Sequence, residues 1–176
     1  MTKRLHAAAL FWMMLPGCGG GQEKAMPGFM LTSSAFADGQ RIPANFSCDG
    51  EDRSPPLSWS SPPAGTRSFA LVVDDPDAPN GTFRHWGTWN IPADADRLEE
   101  GQGDTLPQAV NDFGRTGYGG ACPPRGHGPH RYRFKLFALD TKELDLPAGS
   151  SVEAVEAAAA EHQLARAELT GTYERK

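Results

Sequence analysis

Basic residues are in short supply in this chain: 17 lysines and arginines face 22 aspartates and glutamates, a formal net charge of −5. Sequence-independent nucleic-acid binding depends on many Lys/Arg–phosphate contacts, so the composition argues against a nucleic-acid partner. Any anion site must be local, because the overall field opposes it. A long apolar run is missing as well. The stretch from Ala7 to Leu15 falls short of the about 20 residues that a permanent membrane helix needs. Also missing are an HExxH pair, a GxSxG nucleophile elbow and a Walker loop; Gly117 to Gly120 is not followed by Lys-Ser/Thr and a helix. With those patterns go the usual signatures of metallopeptidases, serine hydrolases and nucleotide-driven phosphoryl transfer, and the chain reads as a binding protein rather than an enzyme. No internal repeat is visible, and cysteine is scarce, with three residues.

What is present begins with a targeting pattern over residues 1–17: Lys3 and Arg4, the apolar stretch, then Leu15-Pro16-Gly17-Cys18. This resembles the bacterial lipobox, in which the cysteine is lipidated and becomes the mature N-terminus; an uncleaved anchor or a signal peptide without lipid is the competing reading. Lipidation at Cys18 makes the protein an exported, membrane-anchored lipoprotein of a bacterial cell envelope. Gly19 supplies no aspartate-type retention signal, which favours the outer membrane. Removal of residues 1–17 leaves 15 basic against 22 acidic residues, a mature net charge of −7. Residues 18–27 form a glycine-rich polar tether. In an exported chain, Cys48 and Cys122 are either bridged or two buried free thiols.

Residues 28–176 read as one domain, large enough for its own core. Its 15 prolines and 20 glycines point to many turns and few helices. Strands are expected at Phe29–Phe36, Ser68–Val73, Arg84–Ile91 and His130–Leu139, with a final one at Thr170–Tyr173. In His130–Leu139, Tyr132, Phe134, Leu136 and Ala138 alternate with Arg131, Arg133 and Lys135, the pattern of a strand with one face on a core. One helix is expected from Ser150 or Ser151 to His162, opened by a Ser150–Glu153 capping box and packed through Val152, Val155 and Ala159. The fold class is mainly β: an antiparallel sandwich with a C-terminal helix.

Two segments carry unusual chemistry. Asp74-Asp75-Pro76-Asp77-Ala78-Pro79, leading to Arg84-His85-Trp86, crowds three carboxylates and two prolines into six residues after a buried strand. Proline fixes φ, and an X-Pro bond can be held cis, so this is a rigid loop that aims its neighbours; a turn whose aspartates cap backbone N–H groups is the plainer reading. Gly117 to Tyr132 is a long glycine- and proline-rich loop whose backbone N–H groups can approach a ligand, with His130 at its mouth. A divalent metal on Asp75, Asp77, His85 and His130 is the enzymatic alternative.

Five blocks occur in order: Cys48-Asp49-Gly50 with Ser54-Pro55-Pro56-Leu57-Ser58-Trp59; Asp75-Pro76-Asp77-Ala78-Pro79; His85-Trp86 with Asn90-Ile91-Pro92; Gly117-Tyr118-Gly119-Gly120 through Cys122-Pro123-Pro124 to His130-Arg131-Tyr132; and Leu139-Asp140 with Gly171-Thr172-Tyr173. Together they resemble the phosphatidylethanolamine-binding family, in its bacterial Raf-kinase-inhibitor-like branch, over about residues 28–176. The resemblance implies a Greek-key sandwich and a pocket at one end for phosphate, acetate or a phospholipid head group. It implies that Asp75, Asp77, His85, His130 and Tyr132 line that pocket and that Gly119, Gly120, Pro123 and Pro124 shape its rim. No cofactor and no resident metal are expected, and the resemblance adds a protein target, a peptidase or kinase, as the alternative role. Ala121 stands where relatives usually carry proline, so a looser rim is expected. Glu161 replaces the usual glycine before His162, which is read as a helix-end residue, and His127 as a solvated one. Trp59, Trp86 and Trp89 are expected in core or pocket wall.

Overall fold

The run Ser68–Val73 becomes the middle of a sheet with both faces covered, which is why its side chains are apolar without alternation. In the computed structural model, which describes residues 28–176, the strands are β1 Met30–Thr32, β2 Leu57–Ser60, β3 Ser68–Asp75, β4 Phe83–Pro92, β5 Arg97–Leu98, β6 His130–Leu139 and β7 Gln163–Tyr173, with helix α1 Val152–Glu161 between the last two. All strand pairs are antiparallel. One sheet has the order β1-β2-β5 and the other β4-β3-β6-β7. The fold is mainly β, a sandwich with one C-terminal helix. The N-terminal targeting pattern, Cys18 and the tether lie outside the described residues. No helix among the described residues is long and apolar enough to cross a membrane.

Two apolar layers sandwich the four-stranded sheet. On one face Phe69, Leu71, Val73, Phe134 and Leu136 meet Leu31, Leu57, Trp59 and Leu98 of the small sheet. On the other, Ala70, Val72, Phe137 and Leu139 meet Val152, Val155 and Ala159 of α1. The period-2 geometry of a strand divides one continuous apolar run between the two layers. Trp59 and Trp89 fall in opposite layers.

Several expectations are corrected. β1 stops at Thr32, because Ser33 turns the chain: its hydroxyl donates to the Pro56 carbonyl and accepts the Ala35 N–H. The helix is capped by Ser151, which accepts the Ala154 N–H. Ser150 instead donates to the Pro147 carbonyl, so the Ser150–Glu153 box does not form. The last strand is far longer than Thr170–Tyr173. β6 matches its expected span, but of its second face only Arg131 is exposed. Lys135 is 4 % exposed, because α1 covers it.

That burial is made possible by a charge network. Asp74, at the end of β3, accepts two hydrogen bonds from Arg133 at 2.7 and 3.0 Å and one from Lys135 at 2.7 Å, and Lys135 also reaches Glu156 of α1. Removing one member of a buried ion network strands the others in low dielectric, at about 3–5 kcal/mol. Asp74→Ala is therefore expected to lower unfolding stability by about that amount in urea titration. A loss no larger than a surface substitution gives would show that Arg133 and Lys135 find water when the carboxylate is removed.

Candidate functional site

A cavity of about 420 Å³ opens where the end of β3, the start of β4 and the loop entering β6 meet. β3 ends in Asp75. Its Oδ1 accepts the Asp77 N–H at 2.8 Å, an Asx turn that fixes the Asp-Pro-Asp corner. Every peptide bond among the described residues is trans. Oδ2 of Asp75 accepts from His130 Nδ1 at 2.7 Å, with both side chains sealed from solvent.

His85 is placed by a different device. The β3–β4 pairing runs Val73↔Trp86 and then Asp74↔Arg84, so His85 is the extra residue of a β-bulge. A bulge re-aims a side chain, here into the cavity wall. Its Nδ1 donates to the Gly119 carbonyl at 2.8 Å, and its ring meets Tyr132, Phe83 and Phe113 at 5.1, 5.1 and 5.3 Å. Burial holds its pKa below the ordinary histidine value, against the opposing pull of the Gly119 carbonyl and Asp75. The ring is thus neutral near pH 7, its proton on Nδ1 and its Nε2 lone pair left over. A second bulge, between Phe69 and Leu71, accounts for the Asn90-Ile91-Pro92 block: Asn90 sits at φ 56° and its side chain accepts the Leu144 N–H.

Of the nine residues expected at the pocket, Asp75, His85, Pro123, Pro124 and His130 line the cavity. The other four do not. Asp77 faces Arg131, taking its backbone N–H at 2.9 Å and its guanidinium at 2.6 and 2.9 Å. Those bonds, led by the Arg131 side chain, lower its pKa to about 2. Asp77 therefore clamps the turn to β6. Tyr132 lies behind His85 in the sandwich core. Its hydroxyl is sealed from solvent beside Asp75, and burial, helped by the Asp75 charge, pushes its ionisation upward. Gly119 and Gly120 stand behind the lining. Their N–H groups go to the His85 carbonyl and to Asp52 Oδ1, at 2.9 and 2.6 Å. Glycine is needed there for close packing: a Cβ would sit 2.6 Å from the Phe113 ring at Gly119 and 2.6 Å from Asp52 at Gly120.

The rim is tight despite Ala121. That residue is buried, bridged to Ser47, and accepts the Cys48 N–H. Beside it Cys48 and Cys122 form a disulfide with Cα atoms 5.4 Å apart, which settles the two-thiol alternative and contributes about 2–4 kcal/mol. His162 caps the end of α1 and meets Asp140 at 3.0 Å. His127 is exposed but not merely solvated: its Nδ1 lies 2.7 Å from His130 Nε2. Trp86 is fully buried and donates to Gln108, lining a smaller polar cavity of about 250 Å³ beside Asp52 and Tyr118.

Sequence reasoning missed Phe83, Asp112 and Phe113 in the wall. Their signal was turn chemistry. Buried Asn111 accepts the Phe113 and Arg115 N–H groups and donates to the Gly117 carbonyl, which swings Phe113 against Phe83 at 4.7 Å. Asp112 accepts the Arg84 N–H at 2.7 Å. Among the described residues no three His, Cys, Asp or Glu side chains converge on a point that could hold a metal ion. The four residues weighed for one are divided by the Asp77–Arg131 clamp.

Residues 32–174 match the family described as phosphatidylethanolamine-binding protein. The chain belongs to that family. A UPF0098 protein of Aquifex aeolicus is 48% identical over 148 residues, covering 81% of this chain and 86% of that one. Escherichia coli YbcL is 41% identical over 165 residues, 84% of this chain and 88% of its own. Its crystal structure, titled as a new member of the mammalian PEBP family, superposes with a TM-score of 0.80 at 37% identity, covering 85% of this chain and all of that one. Mycobacterium tuberculosis LppC, whose name classes it as a candidate lipoprotein, is 38% identical over 205 residues, with 99% of this chain and 100% of its own covered.

The bulged histidine of this family member gives a pH test. Its folded pKa is below the unfolded value of about 6.5, so in acid the unfolded chain takes up a proton that the folded ring refuses. Stability from His85 is complete above pH 7 and is lost as the pH falls below about 6.5. His85→Asn, which can still donate to the Gly119 carbonyl, is expected to show a smaller drop in urea midpoint between pH 7 and 5 than the parent. Parallel pH profiles would remove burial of His85 as a source of acid sensitivity.

Proposed function

We propose that the chain is a non-catalytic binding module for a small anionic or phosphorylated group, of the phosphate or phospholipid head-group type, held in the 420 Å³ cavity. The observation that carries this reading is the pair of buried histidines in its wall. Each has Nδ1 fixed on a protein acceptor, Gly119 O for His85 and Asp75 for His130. His85 therefore keeps Nε2 for another partner, while His130 Nε2 is met by the His127 ring and must be released first; once protonated and free, an Nε2–H is a charge-assisted donor to an anion. Asp75 fixes the His130 ring through Nδ1, while His85 takes up its proton as the ligand arrives. Affinity accordingly rises as the pH falls. Apolar walls from Phe83, Phe113, Pro123 and Pro124 keep water from competing.

Titration of the full-length protein, carrying Cys18→Ser to keep it soluble, with phosphate, phosphoethanolamine and acetate tests the reading. His85→Ala and His130→Ala are each expected to weaken binding about 10- to 100-fold, the worth of one charge-assisted hydrogen bond. Unchanged affinity in both variants would sink it. No binding by a folded parent would turn the search to protein partners.

The reading extends to location: the mature protein is anchored to the cell envelope through lipid on Cys18. The Leu15-Pro16-Gly17-Cys18 pattern and the likeness to LppC support this. Metabolic labelling with a fatty acid is expected to mark the parent and not Cys18→Ser, with the variant leaving the membrane fraction. A labelled Cys18→Ser protein would contradict it.

A further inference from the structure

His130 has no ring nitrogen to spare in the free protein. Nδ1 serves Asp75, and Nε2 lies 2.7 Å from Nδ1 of His127, the two rings meeting edge-on at 5.0 Å. Two ring nitrogens at that distance share one proton. Either a neutral His130 accepts from His127 Nδ1–H, or a protonated His130 donates to a neutral His127. In both arrangements the atom that a cavity anion needs faces His127. With both rings protonated, two N–H groups and two positive charges oppose each other and the bond is lost.

The backbone of His127 is held by the Pro124 carbonyl, but its side chain has room to turn away. It is exposed, outside the lining of the cavity, and flanked by Gly126 and Gly128, both at positive φ with open space around them. His130 is buried and held by Asp75, so the outer ring is the one that leaves. The other charges around the pair are already committed. Asp77 acts on His130 from the turn after β3 but is closed by Arg131. Arg125, on the His127 loop, reaches the Lys176 carbonyl and Asp49. His85 and Asp112 stand across the cavity, the latter on the Arg84 N–H, and the Tyr132 phenol lies beside Asp75.

The geometry points to His127 as a proton-operated cap on His130: while the two rings are bonded, His130 Nε2 is withheld from the cavity, and protonation of both rings frees it for an anion. This rests on the anion-binding reading and adds to it a third histidine whose role is to oppose binding at high pH.

Sulfate, whose charge is constant from pH 5 to 8, is the probe, on the full-length Cys18→Ser protein. At pH 8, His127→Ala is expected to bind sulfate about 2- to 10-fold more tightly than the parent, the worth of one ordinary hydrogen bond, and the two should converge at pH 5. His127→Asn, whose amide can still bond His130 but does not titrate, should stay weaker than the parent at pH 5. Weaker binding by His127→Ala at every pH would make His127 a ligand contact, and identical binding would leave the pair without function; either overturns the cap. Imidazole ¹⁵N spectra without ligand are the second readout, in which His127→Ala should shift His130 Nε2. If sulfate binds none of the proteins the anion reading falls, and an unmoved His130 resonance overturns the cap independently.

Discussion

Two neighbouring carboxylates at the end of the central strand hold the molecule in order. Asp74 and Asp75 are both buried, and because successive strand residues point to opposite faces they serve different layers. Asp74 gathers Arg133, Lys135 and, through Lys135, Glu156 of α1. Asp75 takes His130 on the sandwich side. Both therefore bind β6, one strand away, at positions set by a single register. A slip of one residue between β3 and β6 would put each carboxylate on the wrong side, leaving buried charge unpaired in both layers. The register that aligns the cores is the register that assembles the site.

The rest of the site is arranged around that point by interruptions of regular structure. The bulge in β4 brings His85 beside the Gly119 carbonyl, and the Asx turn after Asp75 leads to a clamp on Arg131. The two histidines differ in environment. His85 is neutral through burial, and His130 is backed by a carboxylate. A cavity lined by an acidic pair and two imidazoles carries no permanent positive charge from lysine or arginine. Any positive charge in its lining therefore has to come from protons on the imidazoles.

Much of this was legible in the sequence, and the failures have physical causes. β6 was readable because bulky apolar side chains alternate with long polar ones from Arg131 to Leu136, before a short apolar run to Leu139. β7 was not: Leu164-Ala165-Arg166-Ala167-Glu168-Leu169 is made of good helix formers, and only pairing with β6 makes it a strand. Lys135 read as a solvent-facing residue because its partners, Asp74 and Glu156, are 61 and 21 residues away in the chain. Asp77 and the glycine loop were recognised as special, yet their polar groups are used up inside the protein, on Arg131, His85 and Asp52. The bulge at His85 has no composition of its own; it is visible only as a shift of register between two strands.

The disulfide has a topological consequence. Traced as a covalent graph, the Cys48–Cys122 bond closes a ring that contains β2 to β5, and with them Asp75 and His85. His130 hangs outside it, on the tail made of β6, α1 and β7. The hydrogen bond between Asp75 and His130 is thus a chord from ring to tail, and the cavity wall crosses that divide. If the tail peels away the ring stays closed, and the cavity is left as one covalently retained wall, with its carboxylate turned toward a missing histidine.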